Sequence, residues 1–233
     1  MKKQYFDDVV DAARRFYNDL KDDPNARYRS WEHCYLSFYH ARKNKDADVD
    51  YLSLQLSFYL ASWGMYRGSS FLLQKDYKIH IPVVKEILKD NYDSLMGIKC
   101  SELKKVSNQK LLEELNEFIK DYYCMVRRNV KMQEIKNDIS DTLITKILMG
   151  TLGCVPAYDR YFISGIKALK AATGNYNIKS ITQLADFYEK NAEQFDCILK
   201  TMKISDIQYP QMKMIDMGFW QIGYDMSVAP SNE

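Results

Sequence analysis

Leu111, Leu112, Leu115, Phe118, Ile119 and Tyr122 fall at i, i+1, i+4, i+7, i+8 and i+11, which places one apolar stripe on one long helix. Tyr51 to Met65 repeats the spacing with Leu52, Leu56, Tyr59, Leu60 and Trp63 in register. From Ser180 onward, Ile181, Leu184, Phe187, Phe195, Ile198, Leu199 and Met202 supply a buried face, and Ser180 with Gln183 has the spacing of a capping box. Weaker periodicity predicts helices over Lys2 to Asp22, Ser30 to Lys43, Pro82 to Asn91, Asp141 to Met149, Tyr158 to Ala172 and Gln211 to Met226. Turn-forming clusters separate them: Asp23-Pro24-Asn25, Asp46 to Asp50, Asn137-Asp138, Gly153 to Pro156, Gly174-Asn175 and Tyr209-Pro210. The expected fold is all-α, a compact multi-helix bundle of about eight to ten helices with short connections. It is read as a single domain over 1–233, with an internal seam, if there is one, near Asn137.

Composition sharpens this picture. With 9 Gly and 5 Pro in 233 residues there are few obligatory turns, which favours long helices over many short strands. The 18 Tyr and 11 Met predict an aromatic-rich core and suit a protein-binding surface. The longest uncharged run, Tyr51 to Tyr66, has 16 residues and includes three serines and a glutamine. A membrane span needs ~20 apolar residues, so this run reads as a core helix and no membrane partner is expected. The start, MKKQYFDD, turns acidic where a signal peptide would turn apolar. Cys34, Cys100, Cys124, Cys154 and Cys197 are odd in number and contain no C-x-x-C pair, which predicts free thiols in a cytoplasmic protein.

The formal charge of +2 is too small for a protein that holds nucleic acid by its overall field. The local distribution is different. From Arg160 to Lys179 the chain carries Arg160, Lys167, Lys170 and Lys179 and no acidic residue. Such a segment could track a phosphate backbone.

Three clusters could carry chemistry. The tract Ser62 to Ser70, SWGMYRGSS, ends an apolar helix with two glycines, and Arg67 with Ser69 or Ser70 at a following helix start would suit an anion such as phosphate. The same residues would equally serve a packed helix-to-helix bend. His33, His40 and His80 lack the H-x-x-x-H spacing of a zinc pair, and neither a metal nor a cofactor is expected. Arg27 and His33, with five residues between them, resemble the Arg and His pair of HEPN-type RNases.

The third cluster runs from Lys146 through Gly150, Gly153, Val155 and Pro156 to Asp159, Arg160 and Tyr161. An apolar helix ends at glycine, a proline loop follows, and an aspartate starts the next helix. This arrangement over Leu143 to Lys170 resembles the catalytic region of the helix-hairpin-helix DNA glycosylases, although Gly150 and Gly153 are three apart where that family's hairpin has Gly-x-Gly. The resemblance implies that Asp159 faces a flipped nucleotide, with Lys146 the lysine nearest the hairpin. A flipped base would rest among Trp63, Tyr158 and Tyr161 while the carboxylate stabilises a cationic sugar. Arg67, Ser69, Ser70, Arg160, Lys167 and Lys170 would then meet phosphates of DNA or RNA. Two readings stand beside this one: Asp159 as a simple helix cap, and the whole chain as a non-enzymatic helical module that binds a protein partner.

Overall fold

The computed structural model describes residues 2–131 and 138–229. In chain order they form α1 (Lys2–Asp22), α2 (Ser30–Asn44), α3 (Val49–Ser62), α4 (Ile81–Ile87), α5 (Cys100–Leu103), α6 (Val106–Lys131), α7 (Asp141–Thr151), α8 (Arg160–Ala168), α9 (Ile178–Glu189), α10 (Ala192–Leu199), the two-residue strands β1 (Lys203–Ile204) and β2 (Ile207–Gln208), and α11 (Gln211–Val228). Short 3₁₀ turns lie at Arg27–Arg29, Phe71–Gln74, Tyr77–His80 and Asp90–Leu95. Among the described residues the fold is all-α apart from one antiparallel hairpin with four strand residues.

Eleven α-helices among the described residues exceed the expected eight to ten. One reason lies at Asn191, whose backbone (φ −134, ψ 24) leaves the helical region and splits the expected single helix after Ser180 into α9 and α10. Another is α5, a single turn too short to leave a periodic signature. The expected capping box at Ser180 does not form. Asn177 is the N-cap, its side chain accepting the Ser180 N–H at 2.9 Å, and Ser180 is buried one turn inside. Asn137, where a seam was expected, lies outside the described residues.

The chain divides into two compact units, each assembled from separate stretches. The first comprises residues 1–24, 97–105 and 154–233; the second comprises 25–96 and 106–153.

In the first unit α11 packs against α1 and α8. Glycines allow the helices to approach backbone to backbone. A Cβ at Gly165 would sit 2.1 Å from the Phe219 carbonyl oxygen, and one at Gly223 would sit 1.9 Å from that of Tyr161. Around this crossing Phe162 and Phe219 meet edge to face, as do Phe16 and Trp220. Beneath it a buried ion pair joins Lys213 and Asp216 at 2.8 Å, and the same carboxylate accepts the Ala157 N–H at 2.9 Å. This fixes the approach to α8.

In the second unit α3 buries Leu52, Leu56, Tyr59 and Leu60 against α2, α4 and α7. Gly150, inside α7, faces the Tyr59 ring so closely that a Cβ there would lie 2.4 Å from Cε1. Trp31 on α2 donates its indole N–H to the Met149 carbonyl at 2.9 Å. The stripe of α6 is centred on Leu112, Leu115, Ile119, Tyr123 and Val126, so Tyr123 and not Tyr122 takes the fully buried position. No helix of the described residues is long and apolar enough to cross a membrane.

Candidate functional site

In the first unit Asp159 occupies the N-cap of α8. Its backbone is extended there (φ −91, ψ 176), and Oδ1 accepts the Tyr161 and Phe162 N–H groups, each at 3.1 Å. The other oxygen, Oδ2, accepts the Trp220 indole N–H at 3.2 Å. Asp159 therefore ties the start of α8 to the middle of α11. Tyr158, expected beside a ligand, lies instead in the core, where its hydroxyl donates to Ser180 at 2.8 Å and Ser180 in turn donates to the Thr173 carbonyl at 2.8 Å. The Asp159 N–H bonds back to the Ala157 carbonyl at 2.8 Å, and this tight turn centred on Tyr158 carries its side chain into the core.

Tyr161 does sit in an aromatic set, but with partners that the local sequence does not announce. Its ring lies 5.3 Å from Trp220 and 5.5 Å from Tyr224, and those two stack at 5.2 Å with 7° between planes. The Arg160 guanidinium lies 4.4 Å from the Tyr161 ring centroid. Trp220 and Tyr224 are one turn apart on α11, a spacing legible in sequence, though nothing in the sequence pairs that face with α8.

Arg160, Ser164 and Lys167 fall at i, i+4 and i+7 on the exposed side of α8. Lys170 follows with a left-handed backbone (φ 53), its N–H bonded to the Lys167 carbonyl, so the exposed chain turns there and continues to Lys179. The stem of Lys167 runs over Gly174, where a Cβ would approach its Cε to 2.1 Å. Among the described residues none of these four cations is paired with a carboxylate.

In the second unit Arg67, Ser69 and Ser70 line a cavity of about 460 Å³ together with Arg127 and Ser140. Ser70 caps the Phe71–Gln74 turn, accepting the Leu72 N–H at 3.3 Å, and Ser140 caps α7, accepting the Leu143 N–H at 3.3 Å. Arg127 donates to the Asp138 carbonyl at 3.0 Å, and the Asp138 carboxylate is held by Lys120 at 2.7 Å. Arg127 and Ser140 are additions that only the folded chain reveals.

Lys146 is buried in α7, its ammonium 4.4 Å from the centre of the Trp63 ring, and Trp63 also lies against Tyr28 at 4.7 Å. This is a cation held on an aromatic face and enclosed by the fold. Gly150 and Gly153 do not form a loop cradle: Gly150 is helix interior, and Gly153, with φ 62, ends α7 by donating to the Leu148 carbonyl at 3.0 Å. Asp159, Tyr158, Tyr161, Arg160, Lys167 and Lys170 thus belong to the first unit, and Lys146, Trp63, Arg67, Ser69 and Ser70 to the second.

The histidines have other roles. His33 and His40 are exposed on α2, and the Arg27 guanidinium turns onto Tyr28, 4.8 Å from its ring centre. His80 is wholly buried. Its Nε2 shares a hydrogen bond of 2.6 Å with the Tyr66 hydroxyl, its Nδ1 another with Tyr123, and Ser57 donates to Tyr66 at 3.0 Å. Burial lowers the His80 pKa to about 3 and raises those of Tyr66 and Tyr123. Among the described residues no group of three or more His, Cys, Asp or Glu side chains is placed to hold a metal ion.

No family model, curated protein or solved structure matches this chain.

Proposed function

We propose that the protein binds nucleic acid through the exposed side of α8 and the segment after it. The observation that carries this reading is the run Arg160, Lys167, Lys170 and Lys179, exposed and without carboxylate partners among the described residues. Cations left unpaired on one surface are available to replace counterions along a phosphate backbone. Beside Arg160, the half-buried Tyr161 and exposed Tyr224 rings, backed by buried Trp220, supply a face on which an unstacked base could rest. The proposal stops at binding. Both oxygens of Asp159 already accept hydrogen bonds that hold the fold, which leaves excision as an added activity to be tested separately.

Fluorescence anisotropy with labelled single-stranded and duplex DNA, across a salt series, tests the reading. Affinity should fall with salt by a slope of about −0.7 to −0.9 per phosphate contact, and replacing Lys167 and Lys170 together by Gln should flatten it by roughly two contacts. Absence of salt-sensitive binding at low ionic strength would end the proposal.

A second reading, a protein-binding module, is favoured by α3. Tyr51, Leu54 and Phe58 fall at i, i+3 and i+7 and are 49%, 47% and 56% exposed, an apolar stripe on a helix whose other side is core. Under this reading Phe58→Asp weakens partner binding while the Lys167 and Lys170 changes are silent.

A further inference from the structure

The cavity of the second unit has features that the nucleic-acid reading does not use. At about 460 Å³ it falls within the ~300–1,000 Å³ typical of small-molecule sites and is far larger than a water pocket. Its lining is two-sided. Arg67, Arg127, Ser69 and Ser70 supply guanidinium and hydroxyl groups, while Met65, Phe71, Leu72 and Leu143 supply an apolar surface. The lining carboxylate, Asp138, is neutralised by Lys120 at 2.7 Å.

The geometry at Arg67 is set by its neighbour. Gly64 has φ 76, a left-handed conformation natural to glycine, and a Cβ there would lie 3.3 Å from both Cζ and Nε of Arg67. The bare Cα therefore forms the bed on which the guanidinium lies. Among the described residues that guanidinium has no hydrogen-bond or ion-pair partner, although it lines a concave surface. Arg127 reaches the same cavity from α6, and the N-terminal end of α7, an eleven-residue helix, opens on it at Ser140.

We infer that this cavity binds a small phosphomonoester with an apolar or aromatic body. Two guanidinium forks brought together from sequence-distant segments match the several oxygens and double charge of a phosphate better than the single charge of a carboxylate. The apolar side then takes the body of the ester, which inorganic phosphate lacks. The inference concerns a different unit from the α8 surface and stands or falls independently of nucleic-acid binding.

Isothermal titration of the full chain with phenyl phosphate, inorganic phosphate and benzyl alcohol tests it. Phenyl phosphate should bind, inorganic phosphate should bind roughly tenfold or more weakly, and benzyl alcohol should give no saturable heat, because charge and apolar body are both needed. Arg67→Gln should weaken phenyl phosphate by about tenfold or more with an unchanged circular dichroism spectrum, and Arg67→Lys should restore part of the loss. Arg127→Gln should weaken it too, but that residue also holds the Asp138 carbonyl, so exposed Arg67 is the cleaner test. The Lys167→Gln and Lys170→Gln pair should leave phenyl phosphate binding unchanged. The inference is overturned by any of three results: no heat with phenyl phosphate at millimolar concentration, equal affinity for inorganic phosphate, or an Arg67→Gln protein that binds like the parent.

Discussion

Trp220 on α11 donates its indole N–H to Asp159, the N-cap of α8, at 3.2 Å across 61 residues of sequence. One carboxylate thereby ends the frayed start of a helix and fixes that helix to its main packing partner. Asp159→Ala should cost about 1–2 kcal/mol in chemical denaturation through loss of the cap, with a change in tryptophan emission. Asp159→Asn keeps one oxygen for the Tyr161 and Phe162 N–H groups but turns its NH2 toward the Trp220 indole N–H, so it should lose that bond and cost about 1 kcal/mol. The pair of variants also separates fold from chemistry: if the carboxylate acts on a bound nucleotide, Asn abolishes turnover while the helix cap and DNA affinity remain.

The α8 and α11 crossing depends on two glycines. A methyl at Gly165 or Gly223 would meet a backbone carbonyl at 2.1 or 1.9 Å, and backbone cannot step aside as a side chain can. Gly165→Ala and Gly223→Ala should each destabilise by the upper part of the ~1–3 kcal/mol typical of overpacking, or more. Exposed Gly68, with nothing within 4 Å of a built Cβ, is the contrasting position. There the penalty of Ala comes only from φ 56 and should be ~1–2 kcal/mol. Urea denaturation of the three variants would rank them, and a Gly165→Ala protein as stable as the parent would show that the helices do not approach this closely.

These examples mark how far the sequence could be read. The apolar stripes of α3 and α6 were legible because a helix repeats its face every three to four residues, and Lys2 to Asp22 was delimited by Asp-Pro at its end. Single-turn elements such as α5 carry too few residues for a period. The Asn177 cap was missed because Ser180, three residues on, fits the same rule. What remained hidden was tertiary. Arg67 and Arg127 share a cavity, and Asp159 shares a hydrogen bond with Trp220, but neither pairing leaves a mark in local spacing. Lys146 and Tyr158 carry polar tips that local sequence cannot place, and the fold encloses both.

His80 gives a pH dependence of definite sign. Its folded-state pKa, about 3, lies below the ~6.5 of an unfolded histidine, so between those values the unfolded chain binds the proton and the native state does not. Its contribution to stability is complete above about pH 6.5 and is lost as pH falls toward 3, with a slope of up to ~1.4 kcal/mol per pH unit. His80→Gln should have a shallower stability profile than the parent between pH 6 and 4. If that variant fails to fold, the proton resonances of the His80 ring in the parent supply the test, and a midpoint between pH 6 and 7 would contradict the buried neutral imidazole.

The five cysteines should all be free thiols, with reactivity set by exposure. Cys197 is exposed and Cys124 half-buried, whereas Cys34, Cys100 and Cys154 are buried, and burial raises the pKa of Cys34 and Cys100. Iodoacetamide on the native protein should modify Cys197 first and Cys124 more slowly. After denaturation without reductant, mass spectrometry should find five adducts, and fewer would mean that a thiol had been oxidised.

The Lys213 and Asp216 pair tests what a buried ion pair contributes. Both side chains are almost fully enclosed, so Lys213→Met strands a carboxylate and Asp216→Leu strands an ammonium, each at ~3–5 kcal/mol. Two apolar side chains of similar volume remove both desolvation costs, so the double variant should recover most of the loss and give a strongly favourable coupling in a double-mutant cycle. Recovery should stop short of the parent, because Asp216 also accepts the Ala157 N–H at 2.9 Å. No leucine can replace that acceptor, and a buried amide left without one costs ~1–3 kcal/mol. Thermal denaturation of the parent, the two single variants and the Leu and Met double variant decides it: if the Leu and Met pair equals or exceeds the parent, the carboxylate's bond to the approach of α8 contributes nothing to stability.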